Sequence, residues 1–238
     1  IGSGSVAVGK YEGQVGTVRL LTNNLTHTGT FTLAYGTFDL NGLTLSTGIF
    51  SSSNANTRVL QDTPGGGKII TTGLTGTVFD MSTVTGLTVS NAPAIQIGSG
   101  AATLTGDVTF AGGGKTFGNF TVSKHAGNFS CLVTGTNVFG IITLETPNVT
   151  YQYAFLKLPA GVITTCTGFV SIGTATYNNI LTSSTAATHT LSAAVGSANP
   201  VAYTNVSYSI AQGGAVWTFG YGSTNGGNNT GWVTNKIF

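Results

Sequence analysis

An all-β fold, a single-stranded parallel β-helix or β-solenoid, is what this 238-residue sequence predicts. Three observations carry the prediction. Charged residues make up only 6% of the chain and helix formers such as Glu, Lys, Arg and Met are scarce, which excludes a long charged helix or coiled coil. Thr, Val, Ile, Phe and Tyr, which fit a pleated half-buried surface, are plentiful. Finally, a triplet of apolar, hydroxyl, apolar residues recurs at nearly constant spacing.

The triplets are Leu87-Thr88-Val89, Val108-Thr109-Phe110, Phe129-Ser130-Cys131, Val149-Thr150-Tyr151, Val170-Ser171-Ile172, His189-Thr190-Leu191 and Val206-Ser207-Tyr208. Their first residues, 87, 108, 129, 149, 170, 189 and 206, are separated by 21, 21, 20, 21, 19 and 17 positions. Strand side chains alternate, so the two apolar residues of a triplet share one face and the hydroxyl takes the other. A period near 21 is too short for a βαβ unit and fits one coil of about three short strands. Stacked coils would bond backbone to backbone about 4.8 Å apart, with apolar columns inside.

Between the strands, Gly occupies 36 positions and Asn recurs ahead of strands at Asn119, Asn128, Asn148 and Asn205. Both residues tolerate the left-handed backbone of tight corners. The sequons at these Asn, and at Asn24 and Asn228, follow from a turn residue preceding a Thr-rich strand. Upstream of residue 86, Phe31-Thr32-Leu33, Phe38-Asp39-Leu40 and Leu43-Thr44-Leu45 read as three strands separated by Tyr35-Gly36 and the corner Asn41-Gly42. Pro64 with Gly65, Gly66 and Gly67 marks a loop before Lys68-Ile69-Ile70. The expected organisation is a lead-in or cap over 1–28, a solenoid over 29–212 and a Gly, Asn and aromatic-rich cap over 213–238.

Eight Lys or Arg against six Asp or Glu give a formal net charge of +2. The basic residues are scattered from Lys10 to Lys236, which excludes a basic nucleic-acid-binding face. No Lys, Arg, Asp or Glu lies between Lys157 and Lys236, yet Thr, Ser, Asn and Gly break that stretch throughout. It holds no apolar run near the roughly 20 residues a membrane helix needs. The sequence begins at Ile1 and reads as a processed product or a portion of a longer chain. Cys131 and Cys166 have neither metal nor redox spacing and read as small apolar fillers, with pairing open if the chain is secreted.

Candidate chemistry is sparse. The seven triplet hydroxyls, Thr88, Thr109, Ser130, Thr150, Ser171, Thr190 and Ser207, would form an outward column able to contact glycans. Trp217, Tyr221 and Trp232, with Phe219, lie in the closing Gly and Asn-rich stretch, where they could stack on sugars or cover the last coil. Glycoside hydrolysis needs two carboxylates about 5 to 10 Å apart. The acids are Glu12, Asp39, Asp62, Asp80, Asp107 and Glu145, and neither Asp39 with Asp62 nor Asp80 with Asp107 is spaced by a whole repeat. Lys115, Lys124 and His125 are the nearest thing to a basic site. His27, His125 and His189 lack metal spacing, and no phosphate loop, nucleophile elbow, metal motif or cofactor motif is present. No catalytic residue is assigned.

Three segments resemble the repetitive β-helix virion proteins of tailed bacteriophages, especially those of marine and other environmental phages. They are Gly36 to Arg58 around its Leu-Asn-Gly corner, Gly112 to Gly127, and Phe155 to Thr174. The stretch from Gly213 to Trp232, GGAVWTFGYGSTNGGNNTGW, resembles the closing element of such proteins most specifically, although here the chain continues to Phe238. The resemblance implies an extracellular virion component, a tail fibre, spike or surface fibre, acting in host attachment or as a rigid spacer. It also implies other virion proteins as partners, a homo-oligomer such as a trimer, and a host surface glycan as receptor. A secreted bacterial adhesin or filament subunit is the alternative expectation, and a polysaccharide depolymerase built on a β-helix is the next.

Overall fold

The structure is a computed structural model and describes residues 4–9, 13, 15–100 and 102–234. Among these residues it contains twenty-six strands and no helix. Every ladder between named strands is parallel, and eighteen of the strands join one sheet. The all-β prediction holds, and the parallel architecture is compatible with a β-solenoid.

The strands fall into three stacked series, which we call the first, second and third faces. On the first face, Leu25, Leu45, Ile69, Ile95, Phe120, Ile142 and Phe169 are successive register partners. On the second, Phe31, Phe50, Phe79, Phe110 and Val133 are successive partners. The third face begins with Val18, Phe38, Leu60 and Val89, in a sheet of its own. Further on, strands Ile163–Ile172, His189–Ser192 and Ser209–Gln212 pair in sequence on the same side of the chain path. These columns meet inside. Phe50, Phe79 and Phe110 stack with centroids 5.0 and 4.7 Å apart, and Phe120 with Phe139 closes the cluster at 4.6 Å. Burial of such rings is the main stabilising term, and offset stacking adds to it.

The faces merge into one sheet because four long strands, Leu25–Leu33, Thr44–Ser51, Val138–Leu144 and Ile163–Ile172, pass round a corner without a break. Close packing at these bends selects glycine. A Cβ at Gly48 would run into the Thr28 carbonyl, and one at Gly140 would come within 2.6 Å of Asn119 Oδ1. Asn119 uses that same oxygen to accept the Ile141 N–H at 2.9 Å, so the residue ahead of strand Phe120–Val122 is a corner clamp. The Leu-Asn-Gly corner forms as expected, with φ of 53° at Asn41 and 76° at Gly42.

The constant period does not hold. Thr17 faces Thr37, 20 positions on, whereas Gly76 faces Val108, 32 positions on, and Thr218 faces Val233, 15 positions on. Register is fixed by which apolar residues point inward, while lengthening a turn costs little, so turns absorb the variation. Pairing also continues outside the expected solenoid limits. Val6–Val8 pairs with Leu25–Leu33, whose ladder to the next strand shifts register between His27 and Thr30, and both Thr218–Phe219 and Thr224–Asn225 have parallel partners.

Candidate functional site

The hydroxyl column is not assembled. Thr88 lies on the third face opposite Val59, and Thr109 lies on the second opposite Leu132. Thr190 sits between Ile163 and Ile210 in the third-face series. Ser207 follows Val206 and hydrogen-bonds Thr182 at 2.8 Å. Thr150 is in a turn whose amide is held by Asn148 at 3.0 Å. Ser130 and Ser171 are fully buried, the first bonded to Asp107 and the second to Thr204 at 2.7 Å. The correction follows from the variable turns: a step of 21 along the chain lands on different faces and at different phases of the strand.

The aromatic trio also divides. Trp217 is buried, packs on Phe169 at 6.3 Å and Trp232 at 5.3 Å, and donates Nε1–H to the Gln212 carbonyl at 3.1 Å. Its ring is core, so it is withdrawn from the glycan-contact set. Trp232 is half-buried against Trp217 and Phe219 and donates to Ser209 Oγ. Only Tyr221 is open, at 71% exposure.

The acids are occupied structurally, apart from Glu12, which lies outside the described residues. Asp39 and Asp62 come to adjacent levels, because Asp39 faces Gln61 in register. Asp39 accepts the amides of Asn41 and Thr63 at 3.0 Å and the Arg19 guanidinium at 2.7 Å. Burial would raise its pKa, but these donors and Gln61 outweigh it and hold the carboxyl below its ordinary value. Asp62 accepts Gly42 N–H at 2.8 Å and Gly67 N–H at 2.6 Å. The pair therefore ties the Asn41-Gly42 corner to the following loop. Asp80 caps Ser82. The three basic candidates separate as well: Lys115 Nζ donates to the Leu87 carbonyl at 3.0 Å, while Lys124 pairs with Glu145 at 2.7 Å.

The edge where the first face turns into the second gathers the remaining chemistry. The connections from Ile97 to Val108, from Val122 to Cys131 and from Leu144 to Phe155 are long here. Asp107 accepts from Ser130 N and Oγ at 2.7 and 2.9 Å and faces Lys157 at 3.4 Å. Burial opposes its ionisation, yet the Ser130 donors and then Lys157 hold its pKa below the ordinary value. His125 and Cys131 line one small cavity with Ile97, Leu104 and Val122, with room for about one water molecule. His125 Nε2 has no partner, and burial lowers the ring's pKa despite the Ala126 and Gly127 carbonyls and the nearby Asp107. Burial, with Asp107 adding, pushes the Cys131 thiol far above its ordinary value. A buried neutral thiol beside a one-water cavity is inert toward a substrate. Cys166, also free and buried, is raised to about 11. Among the described residues no group of three His, Cys, Asp or Glu is placed to hold a metal ion.

Farther along the same edge, four tyrosines occupy equivalent turns. Tyr153 precedes strand Phe155–Leu158, Tyr177 precedes Asn179–Ser183, Tyr203 precedes Thr204–Val206 and Tyr221 precedes Thr224–Asn225. Tyr153 exchanges backbone hydrogen bonds with His125, Tyr203 O accepts from Asn179 N at 3.0 Å, and Tyr221 O accepts from Tyr203 N at 2.9 Å. The Tyr203 and Tyr221 rings meet edge to face at 5.4 Å, and Gln152 Nε2 donates to Tyr177 OH at 3.2 Å. Tyr153, Tyr177 and Tyr203 are half-buried. The row was not picked out from the sequence because its steps of 24, 26 and 18 positions follow no fixed period. A detectable signal was a Tyr one to three residues ahead of each of the last four second-face strands.

No protein-family model, curated protein or solved structure matches the chain.

Proposed function

We propose that the chain is a one-chain parallel β-solenoid with turns of unequal length, serving as a rigid, surface-attaching segment of an extracellular assembly. The observation that carries this reading is parallel pairing running from Val6–Val8 to Val233–Thr234 over an aromatic interior. Each level adds backbone hydrogen bonds to its neighbours, so such a chain resists bending and presents its turns at regular height. The carboxylates of Asp39, Asp62, Asp80, Asp107 and Glu145 spend their hydrogen bonds on turns and ion pairs, which favours a structural or adhesive role over hydrolysis. The resemblance of the sequence to tailed-bacteriophage β-helix proteins supports a reading as a fibre, spike or head-surface component of a phage particle, in a homo-oligomer.

Immunogold labelling with antibodies against the chain tests this. Label on tail fibres or on the head surface is expected. Label confined to bacterial envelopes or filaments would replace the phage reading with the bacterial adhesin. Incubation with host polysaccharides should release no reducing ends or unsaturated sugars. Turnover abolished by Glu145→Gln would move the chain to the depolymerases.

A further inference from the structure

We propose that the tyrosine edge formed by Tyr177, Tyr203 and Tyr221, continued by Tyr153, is a binding site for a neutral polysaccharide chain. The inference rests on the adhesive reading above and names the ligand class and the residues.

Four observations carry it. The first is alignment: one tyrosine per level falls in successive turns of one edge, where neighbouring backbones lie about 4.8 Å apart, and the Tyr203 and Tyr221 rings touch. Such a strip matches a linear ligand lying along the stack better than a compact one in a pocket. The second is exposure together with rigidity. Tyr221 is 71% exposed, and Tyr203 is braced by the Tyr221 edge and by Gly222, where any Cβ would collide with the Tyr203 ring. Preorganised tyrosines offer an apolar face and a hydroxyl at low entropic cost.

The third observation is backbone conformation. Tyr203 forms its corner alone, between strands Val201–Ala202 and Thr204–Val206, at φ of 46°. A bulky side chain is disfavoured there and glycine or asparagine would serve the turn better. Asn41, Asn91 and Asn228 do so at other positive-φ positions. The turn therefore does not itself require tyrosine, although Tyr208 also holds a left-handed corner, at 51°, outside this edge. The fourth is charge. No Lys, Arg, Asp or Glu lies between Lys157 and Lys236, so the Tyr177 to Tyr221 stretch carries no ionised partner of its own for uronate, sulfate or phosphate groups. At the Tyr153 end, Lys124 and Lys157 are already paired with Glu145 and Asp107. Recognition would come from stacking and neutral hydrogen bonds, with several weak contacts summed along the strip.

The test is affinity electrophoresis of the 238-residue chain through gels cast with soluble β-glucan, α-mannan or galactomannan, and with alginate as the acidic control. Retardation by at least one neutral polysaccharide, insensitive to salt, is expected. Tyr177→Ala and Tyr221→Ala should each weaken it about threefold or more, and the triple variant with Tyr203→Asn about tenfold or more. Asparagine suits the left-handed corner, so Tyr203→Asn keeps its urea midpoint at or above wild type while losing retention, which a purely structural tyrosine would not do. The proposal is overturned by no retardation in any neutral gel, by unchanged retention in the triple variant, or by binding to alginate that salt removes. Sedimentation velocity adds a further arm: self-association abolished in the triple variant, without glycan retention, would make the row a contact between copies. A chain found on virions but not retarded defeats this site alone, whereas a retarded chain found only on bacterial envelopes defeats the phage reading alone.

Discussion

The two halves of the stack are held together differently. From Phe31 to Phe139 the interior is a phenylalanine ladder, and the charged residues sit around it as pinned groups. Arg58 is the extreme case. It is fully buried and donates to Ser52 O and Oγ, Asn56 O, Thr83 O and Thr85 O, with no carboxylate among these partners. Between Leu158 and Lys236 the sequence holds no Lys, Arg, Asp or Glu, and the buried polar groups are uncharged side chains, several of which bond to one another. Ser171, Thr204 and Asn179 form a buried hydroxyl and amide chain, while Ser183 and His189 are buried without a side-chain partner. Stacking stabilises one half; the other trades core polarity for aromatic side chains displayed on its edge. A backbone-paired stack can vary its filling level by level, because each level answers mainly to its neighbours.

The largest effect should come from the ladder. Phe79→Ala removes a fully buried ring from between Phe50 and Phe110 and should cost about 4 kcal/mol in urea unfolding. Hydrogen exchange should accelerate across residues 50–111 and leave 179–212 nearly unchanged. Equal acceleration in both halves would erase the contrast between them. Next, Arg58→Met keeps the stem but strips donors from several buried carbonyls, for a loss of about 3 kcal/mol. A loss below 1 kcal/mol would mean that water takes over those carbonyls.

Acid should weaken both halves, through His125 in the first and, with the larger shift, His189 in the second. His189 is fully buried, neither ring nitrogen has a partner, and burial lowers its pKa to about 4. The unfolded chain takes up this proton below about 6.5 while the fold refuses it until about 4, so stability is complete above 6.5 and falls as pH drops. The loss from this one group should be about 2 kcal/mol between pH 6.5 and 4.5. His189→Leu should flatten that slope. Asp39 and Asp107, with lowered pKa values, add a separate loss only as pH falls through their depressed pKa values, below the ordinary carboxylate range. An unfolding midpoint in His189→Leu that drops as steeply over pH 6.5 to 4.5 as in wild type would place the acid sensitivity elsewhere. The smallest effect is a gain: relieving the left-handed strain in Tyr203→Asn should add about 1 kcal/mol.

Much of the fold was legible because it is local. The apolar positions of Phe31, Phe38, Leu45, Leu87, Val108 and Leu191 point inward as their alternation required, and the Asn41-Gly42 corner adopts the backbone its residues permit. The site was much less legible. Trp217 looked like a displayed aromatic and is core, because the chain after Gly214 re-enters the stack and pairs with Val233–Thr234. Ser130 and Ser171 looked outward by spacing and are buried, since neighbouring turns of different length shift each triplet to another face. Asp39 and Asp62 looked unrelated at 23 positions apart and are stitched to one corner, because the local step happens to be 22.

What the sequence alone determined, then, is the all-β class and many of the inward residues, from period-two alternation, scarce charge and Gly or Asn at corners. What only the tertiary structure decided is which turn lies above which. Strand pairing is set by inward columns that tolerate turns of any length, so positions 153, 177, 203 and 221, without a common spacing, come to share one edge, while residues spaced by 21 do not.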